Sequence, residues 1–464
     1  MKIPLVSAAL GMAVSYYLCS LGALPFPAEI PCLVCALVVA SAAIALTSVP
    51  LRRREGFSPR VLALCAALGL FAGVLVSRHG LIRQDSAYFG FPADKPARFE
   101  ALVRGDSRFS KNDTLFAPLH ITRVWDALGN RAQASADVLA VFGAEAARGK
   151  RFFRGETLIL KGELSEGDGD GPFLFVRETL PGGSAPALAA HRKNLLLAIE
   201  ARITAFQNRP FRSAWPGLFA ALLLGNQEYL GTGIADRFRE AGAVHVLALS
   251  GMHLGLLALL ARLCLKPLAP GRVADGIVLA LVLAYLWLAG PLPSLLRAAF
   301  MFAGYTLLAM FDLRPGPLCL LALSFIVSAL FFPQDLQSLS FILSYLAMLG
   351  ILILTKPINR FCCRWLPHII SLPLSVSLAA QAAVSPVLLA VFGILSPGGI
   401  PASLGLGPLL TAFMWTGILA CILGVLPAPA SYPLSWLFSL AMKYLYAAIV
   451  FLVELCSRIP PFRL

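Results

Sequence analysis

The sequence predicts a polytopic α-helical membrane protein of about eleven spans with one small external β domain inserted near its N-terminus. Of the 464 residues, 58% are hydrophobic and only 13% are charged, whereas a soluble domain carries about 25% charged residues. The charges are also unevenly placed: about 26% of segment 78–213 is charged, against about 8% elsewhere. This composition excludes a purely soluble enzyme and separates one water-exposed segment from a membrane part.

The N-terminal region, 1–77, contains three apolar runs, 1–23, 30–49 and 59–76. The second run follows the first at once, so we interpret the first as a retained span rather than a cleaved signal peptide. The cluster Arg52–Arg54 predicts a cytoplasmic loop and a cytoplasmic N-terminus. Three crossings then place the charged segment outside. Cys32 and Cys35 lie within an apolar run, so they predict buried small hydrophobes rather than a disulfide or metal site.

The external domain, 78–190, has the pattern of a small β barrel. Short apolar-rich runs separated by turn residues predict five strands, at 98–104, 114–125, 134–142, 156–164 and 173–177. Five strands in about 80 residues are typical of an OB-fold, which often binds single strands or sugars. A domain that only braces the membrane part is the alternative. Candidate contacts to a DNA backbone are the basic residues Arg104, Arg123, Arg151, Arg154 and Lys161.

Aromatic residues of this domain allow two interpretations. They either stack on nucleic-acid bases or fill the barrel core, and in so small a barrel the core is the commoner place. The aromatic residues concerned are Trp125, Phe142, Phe152, Phe153, Phe173 and Phe175.

Segment 191–213 predicts an amphipathic connector helix that returns to the membrane, because Leu195, Leu196 and Ile199 recur at helical spacing. The remainder, 214–464, predicts the main transmembrane domain. Its eight expected spans are 241–263, 274–290, 295–311, 316–332, 338–355, 370–395, 400–424 and 433–455. Positive residues after every second span fit cytoplasmic loops. They are Lys266, Arg272, Arg314, Lys356, Arg360 and Arg364.

Polar groups within these apolar runs are the candidate functional residues, since polar groups at membrane depth are retained where they line a cavity or pair across helices. Ser250 and His253 are expected to share a helix face, with His245 about two turns earlier. Gly251 permits close approach of another backbone. The full set of pore candidates is His245, Ser250, Gly251, His253, Ser294, Arg297, Ser340, Ser344 and Gln381.

The block HVLALSGMH at 245–253 is similar to the most recognisable motif of the ComEC-type competence proteins. Segments 294–298, 339–350 and 381–386 (QAAVSP) follow in that family's order, so the chain resembles the family over about 215–425. The resemblance implies a multi-pass channel in the bacterial cytoplasmic (inner) membrane that takes up single-stranded transforming DNA. It also implies membrane lipids as surroundings, and a separate DNA receptor, nuclease and cytoplasmic ATPase or helicase as partners. The sequence leaves open whether the chain forms a homodimer.

Two departures from the family pattern stand out. Ser403 takes the place where members carry an asparagine, and the sequence holds no HxHxDH-type zinc cluster of the metallo-β-lactamase-like domain that follows in full-length members. We therefore expect no nuclease activity, no catalytic residues, no metal and no cofactor in this chain. The absence of a GxxxxGK[ST] motif assigns any ATPase to another chain.

Three alternatives remain at this point. The first is an intramembrane serine hydrolase that uses Ser250 with a histidine base, which must lie about 2.6–3.2 Å from the hydroxyl. The second is a transporter or envelope-assembly protein that reuses the channel fold. The third is a ligand-poor metal site at His245 and His253 with Asp236 or Glu240.

Overall fold

The structure, a computed structural model, describes most of the chain after the N-terminal region. The residues described are 88–89, 96–109, 114–126, 129–143, 146, 150–166, 172–205, 214–226, 230, 232–313, 315–423, 431–460 and 462–463. The three N-terminal spans predicted in 1–77, the Cys32–Cys35 pair and the end of the connector, 206–213, lie outside them. The chain divides into two compact units, Leu81–Ala201 and the remainder.

The first unit is built on a β barrel. Each of the five predicted strands is present, with ends within three residues of those expected. The strands are β1 (Tyr88–Phe89), β2 (Pro96–Val103), β3 (Arg108–Phe109), β4 (Leu115–Asp126), β5 (Arg131–Phe142), β6 (Thr157–Glu166) and β7 (Pro172–Leu180).

Five long strands close into a ring. β2 pairs with β4 and β4 with β5, both antiparallel; β5 then pairs in parallel with β7. β7 pairs antiparallel with β6, and β6 returns to β2, so the ring has no open edge among these strands. The short strands β1 and β3 extend β5 and β4. Closure removes the unpaired backbone groups that an edge strand would expose.

The barrel core follows from strict alternation along the strands, since successive side chains point to opposite faces of a sheet. In β4, Leu115, Ala117 and Leu119 are fully or almost fully buried, while the residues between them are partly or fully exposed. Phe142, Phe152 and Phe153 are buried, as the core interpretation predicts. Phe173 and Phe175 instead point outward, and Phe175 is 50% exposed.

The connector helix α1 (Ala187–Ala205) is present and buries Leu196 and Ile203, and several of its charged residues pair with the barrel. Arg192 is 4% exposed and donates two hydrogen bonds of 2.8 and 2.7 Å to the Asp106 carboxylate. Leu195, expected on the apolar face, is 39% exposed. Burial of a cation is tolerated because a bidentate carboxylate pairs with it.

Two further ion pairs and one aromatic ring complete this attachment. The Lys193 Nζ lies 2.6 Å from Glu156, and Arg151 lies 2.7 Å from Glu200. The charged groups of Lys193 and Arg151 also lie over the Phe153 ring, at 5.4 and 5.2 Å from its centroid. Three charged residues of α1, Arg192, Lys193 and Glu200, are therefore each paired with an opposite charge on the barrel.

The second unit is helical in its described part. Its helices are α2 (Trp215–Leu224), α3 (Thr232–Glu240), α4 (Val244–Leu247), α5 (Gly251–Leu265), α6 (Gly271–Ala289), α7 (Pro293–Met310), α8 (Pro317–Phe331), α9 (Leu339–Cys362), α10 (His368–Phe392), α11 (Gly399–Leu423) and α12 (Ser431–Ser457). A 3-10 helix covers Pro333–Gln337, and β8 (Ile394–Leu395) pairs with β9 (Phe462–Arg463).

Six of the described helices, α6, α7, α9, α10, α11 and α12, are long and apolar enough to cross a membrane. The spans predicted at 241–263 and 316–332 are shorter than expected. The first is broken into α4 and α5, and the second is the 15-residue helix α8. Proline at the first turn of α8 and the polar 3-10 segment after it set its ends.

Small residues let the long helices pack closely. A Cβ atom on Gly350 of α9 would lie 2.4 Å from the Ala383 Cβ and 2.7 Å from the Ala379 carbonyl oxygen of α10. Helices in lipid associate largely through such close backbone approach. Lipid tails are as apolar as the side chains, so there is no hydrophobic driving force between the helices. The pairs α9–α10 and α11–α12 each form a hairpin of neighbouring helices in contact.

Candidate functional site

The chain breaks immediately before α5, within the HVLALSGMH block. α4 ends at Leu247, and Ala248 and Ser250 adopt extended backbone before α5 begins at Gly251. The expectation that His245, Ser250 and His253 share one continuous helix is therefore wrong. Serine is a favoured residue at a helix start because it competes for the backbone groups that a continuous helix would use.

Ser250 and His253 form a helix cap. The Ser250 backbone N–H donates to Nδ1 of His253 at 3.2 Å, while the Ser250 hydroxyl lies 3.5 Å from the same nitrogen. Because Nδ1 accepts a hydrogen bond, the neutral ring carries its proton on Nε2. His253 is fully buried, and its Nε2 has no partner among the described residues. This geometry favours capping over the activation of a serine nucleophile.

Gly251 brings the start of α5 against α7. A Cβ at this position would lie 2.9 Å from the Ala298 Cβ and 3.3 Å from Nη2 of Arg297. The neighbouring Ser294 hydroxyl donates a 2.7 Å hydrogen bond to the Leu249 carbonyl, which the chain break leaves without a helical partner. Glycine is required here by the close approach of the two helices.

Arg297 joins this contact to a third helix. Its Nη1 donates to the Ser344 backbone carbonyl of α9, and its Nε is buried without a partner among the described residues. No salt bridge of the described residues includes Arg297. A guanidinium with no neutralising acid beside it is costly in an apolar unit and is a functional candidate for that reason.

These contacts bring the first two turns of α5, α7 and α9 together, and we call this group the N-terminal junction: Leu249, Ser250, Gly251, His253, Ser294, Arg297, Ala298 and Ser344. The positive end of the α5 dipole lies beside the positive charge of Arg297.

The helix α5 is shorter than a membrane span. It has 15 residues and is therefore about 22 Å long, against about 30 Å for the hydrocarbon core of a bilayer. If its C-terminal end lies at one membrane surface, the junction lies below the other.

The other predicted pore residues are not joined to the junction by any hydrogen bond of the described part. His245 on α4 and Ser340 on α9 are exposed. Gln381 lies on α10, where its backbone carbonyl accepts a hydrogen bond from the Ser385 hydroxyl. The residue at the expected asparagine position, Ser403, bonds within its own helix to the Gly399 carbonyl.

A cluster of hydroxyl groups lies beside the junction, and the sequence patterns did not identify it. The Tyr345 hydroxyl lies 3.1 Å from the Ser328 hydroxyl and 3.3 Å from that of Ser324, both on α8. Tyr345 follows Ser344 directly, so this cluster anchors the stretch of α9 that accepts the Arg297 hydrogen bond. The i, i+4 spacing of Ser324 and Ser328 was available as a signal, as it was for Ser340 and Ser344.

The basic residues of the barrel are mostly matched by acids. Arg104 lies 3.3 Å from Asp137, and Arg123 lies 2.9 Å from Glu100. Arg151 pairs with Glu200, as described above. The Arg154 backbone N–H donates to Asp106, and Lys161 is exposed opposite Arg98 on β2. They are spread around the barrel rather than gathered on one face.

A metal site is not found within the described residues, where no three histidine, cysteine or acidic side chains are gathered. His245 and His253 do not share a site with Asp236 or Glu240 in that part of the chain. The chemistry available at the junction is therefore that of hydrogen-bond donors and positive charge.

Comparison with known proteins gives one family match, "Competence protein", over residues 222–463, which is just over half of the chain. ComE operon protein 3 of Bacillus subtilis is 30% identical over 232 residues, covering 50% of this chain and 29% of that protein. An uncharacterised protein of Aquifex aeolicus is 31% identical over 186 residues, covering 40% and 42%. No solved structure matches.

The matched segment thus covers less than half of each of these relatives. It includes the whole N-terminal junction and all six long apolar helices. The resemblance noted in the sequence is confirmed: this multi-pass membrane chain belongs to the competence protein family.

Proposed function

We propose that this chain is a component of the inner-membrane channel that takes up single-stranded DNA during natural competence. Membership of the competence family supports a role in DNA uptake. The observation that carries the channel assignment is the N-terminal junction, where Arg297 lies beside a helix start with no acid paired to it among the described residues. A polyanion needs such a cationic, donor-rich point on its path through an apolar protein.

In this proposal the Arg297 guanidinium exchanges the Ser344 carbonyl for a phosphate oxygen of the passing strand. A charge-assisted hydrogen bond to phosphate is about twice as strong as one to a neutral carbonyl. The start of α5 adds the backbone N–H groups of Gly251 and Met252, which have no acceptor within the helix, as broken helices do for anionic substrates in transporters. Each phosphate leaves as the next arrives, because one guanidinium binds one at a time.

The orientation follows from charge. In the sequence, Lys266, Arg314 and Arg364 follow α5, α7 and α9, whose first turns meet at the junction. A cytoplasmic position for these basic residues therefore implies a junction near the external side. The same rule puts the barrel outside, where it meets the strand first. A separate receptor, nuclease and cytoplasmic motor complete the system as partners.

We propose further that the barrel is an OB-fold. Its first three long strands, β2, β4 and β5, form a meander, and the fifth, β7, lies parallel to the third. The fourth, β6, closes the ring between β7 and β2. This connectivity is that of a five-stranded Greek-key barrel whose second and third strands form a binding face.

The test is transformation of a naturally competent host in which the gene is deleted and replaced by variants. Arg297→Ala is expected to lower transformation to the level of the deletion strain at an unchanged amount of membrane protein. The matched control is Arg262→Ala, which removes an exposed arginine of α5 that pairs with Asp275 and should transform as the wild type does.

Wild-type transformation by Arg297→Ala would refute the path through the junction. Wild-type transformation by the deletion strain itself would refute a role in DNA uptake and favour the transporter or envelope-assembly alternative. Arg297→Lys separates charge from geometry, because lysine keeps the positive charge but cannot reproduce the planar fork; partial activity is expected.

A further inference from the structure

An apolar row crosses the outer face of the barrel. Phe116 on β4 is opposite Val141 on β5, and Val141 is opposite Phe175 on β7. Arg108 on β3 is opposite Phe116 and begins the row, and Glu163 on β6 is opposite Phe175 and ends it. Five strands therefore contribute to one continuous line of side chains along the outer surface of the barrel.

The outward direction of this row is fixed by its buried neighbours. Leu115 and Ala117 flank Phe116 and are fully buried, as is Leu174 before Phe175. Phe175 itself is 50% exposed. A large apolar side chain exposed in the middle of a barrel face is more informative than a buried one, since the core did not require it.

A second apolar row lies beside the first, formed by Pro118, Leu139 and Phe173 on the same three strands. Beyond it the surface is polar, because His120 hydrogen-bonds Asp137 at 2.6 Å. The Arg177–Glu163 ion pair, at 2.5 Å, borders the other side. The apolar surface is thus two residues deep and three strands wide.

Its dimensions select the kind of ligand. Strands are about 4.8 Å apart, so Phe116 and Phe175, two strands from each other, are separated by about 10 Å. Such a patch is far smaller than the roughly 800 Å² per partner of a stable protein interface. It is also bordered by ion pairs, which a bilayer interior would not accept. Flat rings of one or two nucleotides match it.

We propose that this row is a stacking platform for the unpaired bases of a DNA single strand. Phe116 and Phe175 carry one base each, and Arg108, at the end of the row beside Phe116, contacts a backbone phosphate. Stacking on aromatic rings tolerates any sequence, because every base has an aromatic face. The platform rests on the proposed function, and it names the surface by which the external domain would receive its substrate.

The experiment measures binding of a fluorescein-labelled 15-nucleotide oligothymidylate to the purified full-length protein in nanodiscs by fluorescence anisotropy. Phe175→Ala is expected to weaken binding by roughly 5- to 150-fold, the range for loss of one stacked base. Phe175→Tyr should restore most of the affinity. The matched control is Leu188→Ala, which shortens an apolar side chain 66% exposed on α1 and should leave binding unchanged.

An abasic oligonucleotide of the same length separates stacking from charge. It should bind wild type and Phe175→Ala equally, whereas Arg108→Ala should weaken both oligonucleotides. Equal affinity of wild type and Phe175→Ala for oligothymidylate would overturn the platform. So would loss of vesicle binding, or of self-association, in Phe175→Ala with oligonucleotide binding intact, since the surface would then serve lipid or a second copy.

Failure of this proposal is distinguishable from failure of the proposed function. Oligonucleotide binding by Phe175→Ala tests the platform, and transformation by Arg297→Ala tests the channel, so each proposal has its own variant and its own measurement. If Phe175→Ala binds normally while Arg297→Ala abolishes transformation, the platform is wrong and the channel assignment stands.

Discussion

The Ser294 hydroxyl donates a 2.7 Å hydrogen bond to the Leu249 carbonyl, which ties the first turn of α7 to the chain break before α5. Ser294→Ala leaves that partly buried carbonyl without this partner, and we expect it to destabilise the helical unit by about 1 kcal/mol. Thermal unfolding of the detergent-solubilised protein, followed by circular dichroism, measures the effect. Ser340→Ala, at an exposed serine of α9, is the control and should change stability by less than about 0.5 kcal/mol.

Gly251→Ala tests the close contact between α5 and α7. The added methyl group would lie 2.9 Å from the Ala298 Cβ, so the helices must separate, at a cost of about 1–3 kcal/mol. Gly255→Ala is an ideal control, one turn further along α5, where nothing lies within 4 Å of the added atom. It should be neutral or stabilise the helix by up to about 1 kcal/mol. Equal unfolding temperatures for the two variants would contradict the contact.

Arg192→Leu tests the attachment of α1 to the barrel. Arg192 is nearly fully buried, but its partner Asp106 keeps 36% of its side chain exposed. We therefore expect a loss of about 2 kcal/mol, below the 3–5 kcal/mol typical of breaking a fully buried pair. Amide hydrogen exchange of the β2 and β6 strands measures the change.

The control for that variant is Arg177→Leu, which breaks a pair whose side chains are 69% and 68% exposed. Exposed pairs contribute about 0–1 kcal/mol because water screens them. Protection of the barrel amides should therefore fall markedly in Arg192→Leu and little in Arg177→Leu. Identical exchange in both would show that α1 is not held by its charges.

The barrel was predictable because its long strands alternate between buried and less buried residues over much of their length. In β5 the buried residues recur at every second position, and in β4 they do so as far as Ile121. The long helices were also predictable from local pattern, because a run of more than 18 apolar residues predicts a membrane-spanning helix. Local pattern therefore sufficed for most elements.

The junction was only partly predictable. Ser250, Gly251, Ser294, Arg297 and Ser344 each stand out as polar or small groups in apolar runs, but nothing local says that they meet. The break before α5 replaces a continuous helix because backbone donors there find partners in Ser250 and His253, which is a tertiary outcome. The burial of Arg192 was missed for the same reason: its partner lies 86 residues away.

The shortness of α5 has an electrical consequence. Where water follows a strand inward to Gly251, the transmembrane voltage falls across about 22 Å instead of about 30 Å, so the field is steeper by about a third. An inside-negative voltage opposes the entry of anions, and moving one phosphate charge against 100 mV takes about 2.3 kcal/mol. If the proposed channel follows this path, the steepest electrical cost for each phosphate charge lies just past Gly251, beside Arg297.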